Sequence, residues 1–261
     1  SRFLLLHRLL RRFLATPRCF SKQERTMPVF SRFLVFLVLT VVLGESRALT
    51  RDGLALLALK SAVASDPTRV LSNWNEKDDD PCHWHGVGCS EASIRRVISL
   101  TLPGKSLAGY IPSELGLLDA VTRLTLSNNS FTGPIPVQIA SLRRLAHLDL
   151  SSNSLNGSLP AILPRLTSLV GVLNLSYNAF TGEIPSSYGV FPATLSLDLS
   201  HNNLSGTVPM EGTLVNQGPT AFTGNPGLCG FPLSTQCPVA VDIPFHSGGS
   251  VNPLHPNENS S

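Results

Sequence analysis

Residues 121–144 read VTRLTLSNNSFTGPIPVQIASLRR, and residues 145–168 read LAHLDLSSNSLNGSLPAILPRLTS. Aligned, the two stretches share leucines, an asparagine, a glycine and a proline at the same positions. The common unit is LxxLxLxxNxLxGxIPxxLxxLxx. Working outward, the Asn column runs Asn129, Asn153, Asn178, Asn202, and the Gly column Gly109, Gly133, Gly157, Gly182, Gly206. A Pro column follows at Pro112, Pro136, Pro160, Pro185 and Pro209. Five units fit, starting at Val97, Val121, Leu145, Val170 and Thr194, with one extra residue near Leu169. Two columns in register over five turns and a third over four mark a repeat architecture.

Each column has a physical reading. In Leu-x-Leu, as in Leu148-Asp149-Leu150, alternate side chains of a short strand point to opposite faces. The leucines go inward and stacked turns pair their strands in parallel. The Asn stands where the chain leaves the sheet and can satisfy backbone groups of its own and neighbouring turns. Gly permits a tight bend. Ile-Pro favours an extended outer wall and discourages regular helix. The expected fold is an α/β repeat solenoid, a leucine-rich-repeat arc with short parallel strands on its concave face. Its turns bury their leucines against one another.

An open stack needs capped ends. Leu54 to Val63 reads as helix, with Asp52 as its N-cap and Pro67 as its terminator. Trp74 and the segment Pro81-Cys82-His83-Trp84-His85-Gly86-Val87-Gly88-Cys89 complete a helical N-terminal cap. Asn225 to Leu233 and Cys237 form a C-terminal cap. Cys82 with Cys89 and Cys229 with Cys237 read as two local disulfides, one per end. Cys19 is the fifth cysteine.

The charge is unevenly spread. The whole chain of 261 residues carries +3, but residues 1–48 hold nine Lys/Arg against two Asp/Glu. The remainder is mildly acidic and has no clustered basic face of the kind nucleic acid requires. Phe33 to Leu43 is an apolar run of eleven, preceded by Arg32 and followed by Ser46 and Ala48. That is a secretory signal pattern with cleavage after Ala48, and it is too short to span a bilayer, which takes about 20 apolar residues. The expected organisation is 1–26 as translated upstream sequence, 27–48 as signal peptide and 49–96 as N-terminal cap. Repeats occupy 97–217, the C-terminal cap 218–237, and a flexible Pro/Ser/Gly/Asn linker 238–261.

The cap residues Asp52, Leu56, Leu57, Lys60, Pro67, Leu71, Trp74, Pro81, Cys82, Trp84, Gly86, Val87 and Cys89 resemble the plant-type cap of leucine-rich-repeat receptor-like kinases. The Gly-x-Ile-Pro repeats and the C-terminal cap, Phe222 to Cys237, resemble that family too, so the likeness covers about residues 49–237. It is nearest to members with short ectodomains. The resemblance implies a single-pass plasma-membrane receptor with a cytoplasmic kinase. This sequence contains no kinase Gly-rich loop, catalytic Asp loop or Asp-Phe-Gly, so kinase activity does not carry over to it.

Other chemistry is poorly supported. Gly104-Lys105-Ser106 looks like the end of a P-loop, but the required earlier glycine is Ser99, so nucleotide binding is set aside. Cys82-His83-Trp84-His85 with Cys89 lacks common zinc spacing. No cofactor and no metal are expected. Ser, His and Asp residues on the strands form no nucleophile elbow or paired-carboxylate site.

The expectation is therefore a partner-binding protein, not an enzyme. The strand residues that face solvent are Ser99, Thr101, Arg123, Thr125, His147 and Asp149, then Val172, Asn174, Ser196 and Asp198. Arg123, His147 and Asp149 form the most polar group, a contact patch for a peptide or another receptor ectodomain. Sequons at Asn128, Asn156, Asn174, Asn203 and Asn259 are candidate N-glycosylation sites. A glycan on the concave Asn174 would restrict binding to the first three repeats. The expected location is the extracellular space or the outer face of the plasma membrane. The alternative reading is a freely secreted cell-wall or defence inhibitor.

Overall fold

In the computed structural model, residues 49–238 are described; the upstream segment, the signal-peptide reading, Cys19, the linker and Asn259 lie outside them. The chain opens with helix α1, Arg51–Ala62. Ala55, Leu56, Leu59 and Ala62 form its buried stripe at helical spacing. The cap of this helix is Thr50, not Asp52: the Thr50 hydroxyl accepts from the Gly53 amide at 3.2 Å. Asp52 lies inside the first turn, buried, and serves the repeats instead. Nor does Pro67 terminate the helix. The chain has already turned into strand β1 (Val63–Ser65), which pairs antiparallel with β4 (Ala108–Tyr110). The peptide preference of β-branched Val63 and this waiting edge end the helix sooner than proline does.

Strand β2 (Val87–Cys89) pairs antiparallel with β3 (Val97–Thr101) and begins the concave sheet. From β3 the sheet runs parallel through β5 (Arg123–Thr125), β7 (His147–Asp149), β9 (Val172–Asn174) and β11 (Ser196–Asp198). Leu100 faces Leu124, Leu124 faces Leu148, Leu148 faces Leu173, and Leu173 faces Leu197. Every one of these leucines is at most 5% exposed, as inward strand positions require.

A second sheet lies beyond the Asn column. It comprises β1, β4, β6 (Ser130–Gly133), β8 (Ser154–Ser158), β10 (Ala179–Gly182), β12 (Asn203–Thr207) and β13 (Gly227–Cys229). The extended wall expected from the Ile-Pro pairs thus begins earlier, at the x-Leu/Phe-x-Gly step. After each proline the wall tightens into short 3-10 turns, as at Ser113–Leu117, Val137–Ser141 and Ser186–Val190. Gly157 holds φ 80°, a backbone state that side chains disfavour, so the Gly column is conformational.

Two unit boundaries shift. Val170 is 49% exposed while Leu169 is fully buried, and Leu195, 3% exposed, replaces Thr194 inside. The extra residue is taken up after Leu169, at Gly171, where an added Cβ would strike the His147 ring. Burial of a leucine outweighs strict spacing, because each buried side chain contributes about 1.5–3 kcal/mol.

The ends are closed as the cysteines predict, by Cys82–Cys89 and Cys229–Cys237. Trp74 and Trp84 stack with centroids 5.4 Å apart. Their indoles donate to the His85 carbonyl at 3.1 Å and to Asp78 at 2.7 Å. The last concave strand needs a different device. The Gln217 amide accepts from Leu197 N at 3.4 Å and donates to Leu195 O at 3.3 Å. One side chain thereby replaces the missing neighbour strand.

Candidate partner-binding face

The concave face is built by register. Ser99 pairs with Arg123 and Arg123 with His147; Thr101 pairs with Thr125 and Thr125 with Asp149. The same two rows continue to Val172 and Ser196, and to Asn174 and Asp198. All six candidate residues therefore stand on one sheet face in two adjacent rows. Their environments differ. Thr101, Arg123 and Ser196 are exposed; Ser99, Thr125, His147, Asp149 and Asn174 are half-buried. Arg123 has no ion-pair partner among the described residues.

Asp149 is partly committed to the fold. Its Oδ1 accepts from the Ser151 amide at 3.1 Å and the Ser151 hydroxyl at 2.7 Å. Asn174 repeats the pattern with Ser176, at 3.0 and 2.7 Å, and Asp198 accepts from Ser200 N at 3.0 Å. These bonds close the end of each strand and leave one oxygen or the amide nitrogen facing outward. Arg123 and His147 are thus the freer members of the group.

The Asn column is a continuous ladder. Asn153 Oδ1 accepts from Phe131 N at 2.9 Å, while its Nδ2 donates to Leu126, Leu150 and Ser151 carbonyls at 3.0, 3.1 and 3.1 Å. Asn129, Asn178 and Asn202 do the same. The ladder extends one step further than the repeat pattern indicates, to Asn225 in the C-terminal cap, which accepts from Leu204 N and donates to Leu199 O. At the other end Lys105 takes the column position, and its amide donates to Asn129 at 3.0 Å. The P-loop look-alike is thereby explained as the first rung. The cysteines of the zinc look-alike are bonded to each other.

The electrostatics concentrate between cap and repeats. Asp52, 3% exposed, accepts from Arg96 Nε and Nη2 at 2.9 Å each and from Val97 N at 2.9 Å. Arg96 also bonds Asp119, which faces Arg51 at 3.8 Å. The hydrogen bond to Asp52 holds the Arg96 guanidinium well above its ordinary pKa, against the opposing effect of burial. The sequence pattern carries no signal for this network, because Asp52 reads there as an N-cap and Arg96 lies 44 residues away.

Four of the five sequons are described. Asn128, Asn156 and Asn203 are exposed, and Asn174 is half-buried on the concave face. None falls within residues 49–127.

Fold and face together define a leucine-rich-repeat ectodomain-like module, a non-catalytic scaffold with a presented strand surface. Residues 49–90 match the leucine rich repeat N-terminal domain, and residues 120–142, 144–166, 171–191 and 195–212 match the leucine rich repeat. Over 85 residues the chain is 44% identical to a probable LRR receptor-like serine/threonine-protein kinase of Arabidopsis thaliana, covering 33% of this chain and 11% of that protein. It is 43% identical over 90 residues to the Arabidopsis kinase FEI 2, covering 34% of this chain and 15% of that protein. Its matches thus span a small part of those kinases. Among solved structures, a chain of the BIR3–SERK2 complex from Arabidopsis thaliana is 39% identical with TM-score 0.65, covering 72% of this chain and all of that one. The Arabidopsis BIR2 ectodomain is 33% identical with TM-score 0.64, covering 71% of this chain and 98% of that one. The chain belongs to the plant leucine-rich-repeat receptor-like kinase family and resembles its ectodomains.

Proposed function

We propose that this chain is the extracellular partner-binding module of a plant receptor or co-receptor. Its signalling output would rest on a kinase segment of the kind its relatives carry. The carrying observation is the concave face: two ordered rows of polar side chains on a sheet whose inward positions are all buried leucine. Such a face is held rigid before binding, so little ordering entropy opposes association. Arg123 and His147 are the main contacts, with Ser99, Thr101 and Thr125 beside them and Asp149 offering its second oxygen. The partner is a protein or peptide, and another receptor ectodomain is the favoured class, because a similar chain crystallises in a complex named for two proteins, BIR3 and SERK2.

The secretory reading fits the two disulfides, which persist in oxidising compartments. In this reading residues 27–48 are removed on export, and Asn128, Asn156 and Asn203 carry glycans. A glycan on Asn174 would narrow the usable concave face to the first three repeats.

The test is binding between residues 49–238, secreted from insect cells, and the Arabidopsis SERK2 ectodomain by biosensor. The reading expects a complex that Arg123→Glu weakens by roughly tenfold, as loss of a charge-assisted contact does. No complex, or one indifferent to both Arg123→Glu and His147→Glu, rejects a concave co-receptor role.

A further inference from the structure

A cleft of about 560 Å³ opens on the flank of the molecule, between the N-terminal cap and the ends of the first and second repeats. Its walls include Arg96, Asp119, Ala120 and Arg144, with Ile94 on the cap side and Ile98 at the start of the first concave strand. The cleft has a sequence cause. Positions 96, 120 and 144 are equivalent in successive turns, reading Arg, Ala, Arg. At the middle position Ala120 has only a methyl group, where its two equivalents carry guanidinium side chains.

The two arginines are not alike. Arg96 is bound to Asp52 and Asp119. Arg144 is exposed and has no carboxylate partner among the described residues. Asp119 is already shared between Arg96 and Arg51. The uncompensated charge of the cleft is therefore positive and sits at Arg144. Ile94, on the same cleft, is 77% exposed. An exposed isoleucine and a free guanidinium on one cleft suit an occupant carrying both an aliphatic side chain and a carboxylate. None of the cleft's lining residues is a sequon asparagine, so no glycan is anchored on its walls.

We propose that this cleft is a second docking site, separate from the concave face, for an acidic peptide segment of a protein partner. The segment places an aliphatic side chain into the gap over Ala120, against Ile94 and Ile98, and a carboxylate on Arg144. This deepens the receptor reading above and rests on it for the presence of a protein partner. The attraction is electrostatic and partly exposed, so it weakens as salt rises.

The experiment titrates the folded, glycosylated ectodomain with a blocked, fluorescent hexapeptide of alternating Glu and Leu, and with its Gln–Leu counterpart. Anisotropy is expected to show binding of the Glu peptide, about tenfold weaker for the Gln peptide and for Arg144→Gln. Ala120→Leu, which fills the gap, is expected to abolish binding; because Ala120 is only 6% exposed, its fold is checked by melting, and Ile94→Asp serves as an exposed variant at the same cleft, expected to weaken binding. Arg123→Glu on the concave face is expected to leave peptide binding unchanged. No binding at millimolar peptide, or binding equal in wild type, Arg144→Gln and Ile94→Asp, overturns the proposal. Peptide binding lost in Arg123→Glu but kept in Arg144→Gln also overturns it and assigns the peptide to the concave face. The biosensor result with SERK2 stands independently of either outcome.

Discussion

At the scale of single residues, the Asn column concentrates more stability than its size suggests. Asn153 satisfies an amide of the preceding turn and carbonyls of two turns at once. Asn153→Ala leaves Phe131 N without a partner and strips one of the two amide donors from Leu126 O, and is expected to lower stability by about 2–3 kcal/mol, read from chemical denaturation. Asn153→Asp is expected to cost more, because a carboxylate then faces three carbonyls. Tyr188 offers a test of a different kind. It is fully buried, its hydroxyl donates to Pro160 O at 3.3 Å, and burial pushes its pKa upward. A phenol raised in the folded state contributes fully below the unfolded value of about 10 and loses its contribution as pH rises beyond it. Stability of the wild type should therefore fall from about pH 10 upward. Tyr188→Phe should be about 1 kcal/mol less stable at neutral pH and show a shallower alkaline decline in melting temperature.

Elements carry the next level of argument. The N-terminal helix is joined to the first repeat through Asp52, which bonds Arg96 and the buried Val97 amide. Asp52→Ala is expected to destabilise by about 2 kcal/mol, chiefly through the unpaired Val97 N–H, since Arg96 remains partly solvated. Hydrogen exchange should then speed in the first concave strand before the third. Helix propensity alone placed the helix within a few residues of its true bounds. It did not place the cap, because Thr50 and Asp52 are both good N-cap residues and only the position of Arg96 draws Asp52 inward. The second sheet was equally hidden. Segments such as Ser130–Gly133 and Ala179–Gly182 are short and Gly-ended, and they become strands only when a neighbouring turn lies 24 residues away to pair with them.

For the whole molecule, a solenoid is stabilised by contacts between neighbouring turns, so its weakest points are its ends. Cys237→Ser removes a short loop closure worth about 2 kcal/mol. The expected result is a local loss of exchange protection around Gly227–Cys229 and Asn225, with the first three repeats unchanged. A uniform loss across all turns would show instead that the array unfolds as one unit. The concave rows are held by the middle of this array, where each turn has two neighbours.

The repeat, the inward leucines, the Asn ladder from Asn129 to Asn202 and both disulfides were determined by the sequence itself. They depend on periodicity and local chemistry, which a linear pattern contains. The tertiary structure alone decided that Thr50 caps while Asp52 binds Arg96, that Leu169 and Leu195 displace Val170 and Thr194 from the core, and that Asn225 extends the ladder. It alone showed Gln217 standing in for a strand, and the cleft lined by Ala120 and two arginines. Each of these depends on which groups from distant turns compete for one buried position or one unpaired backbone group, and that competition is settled only when the turns stack.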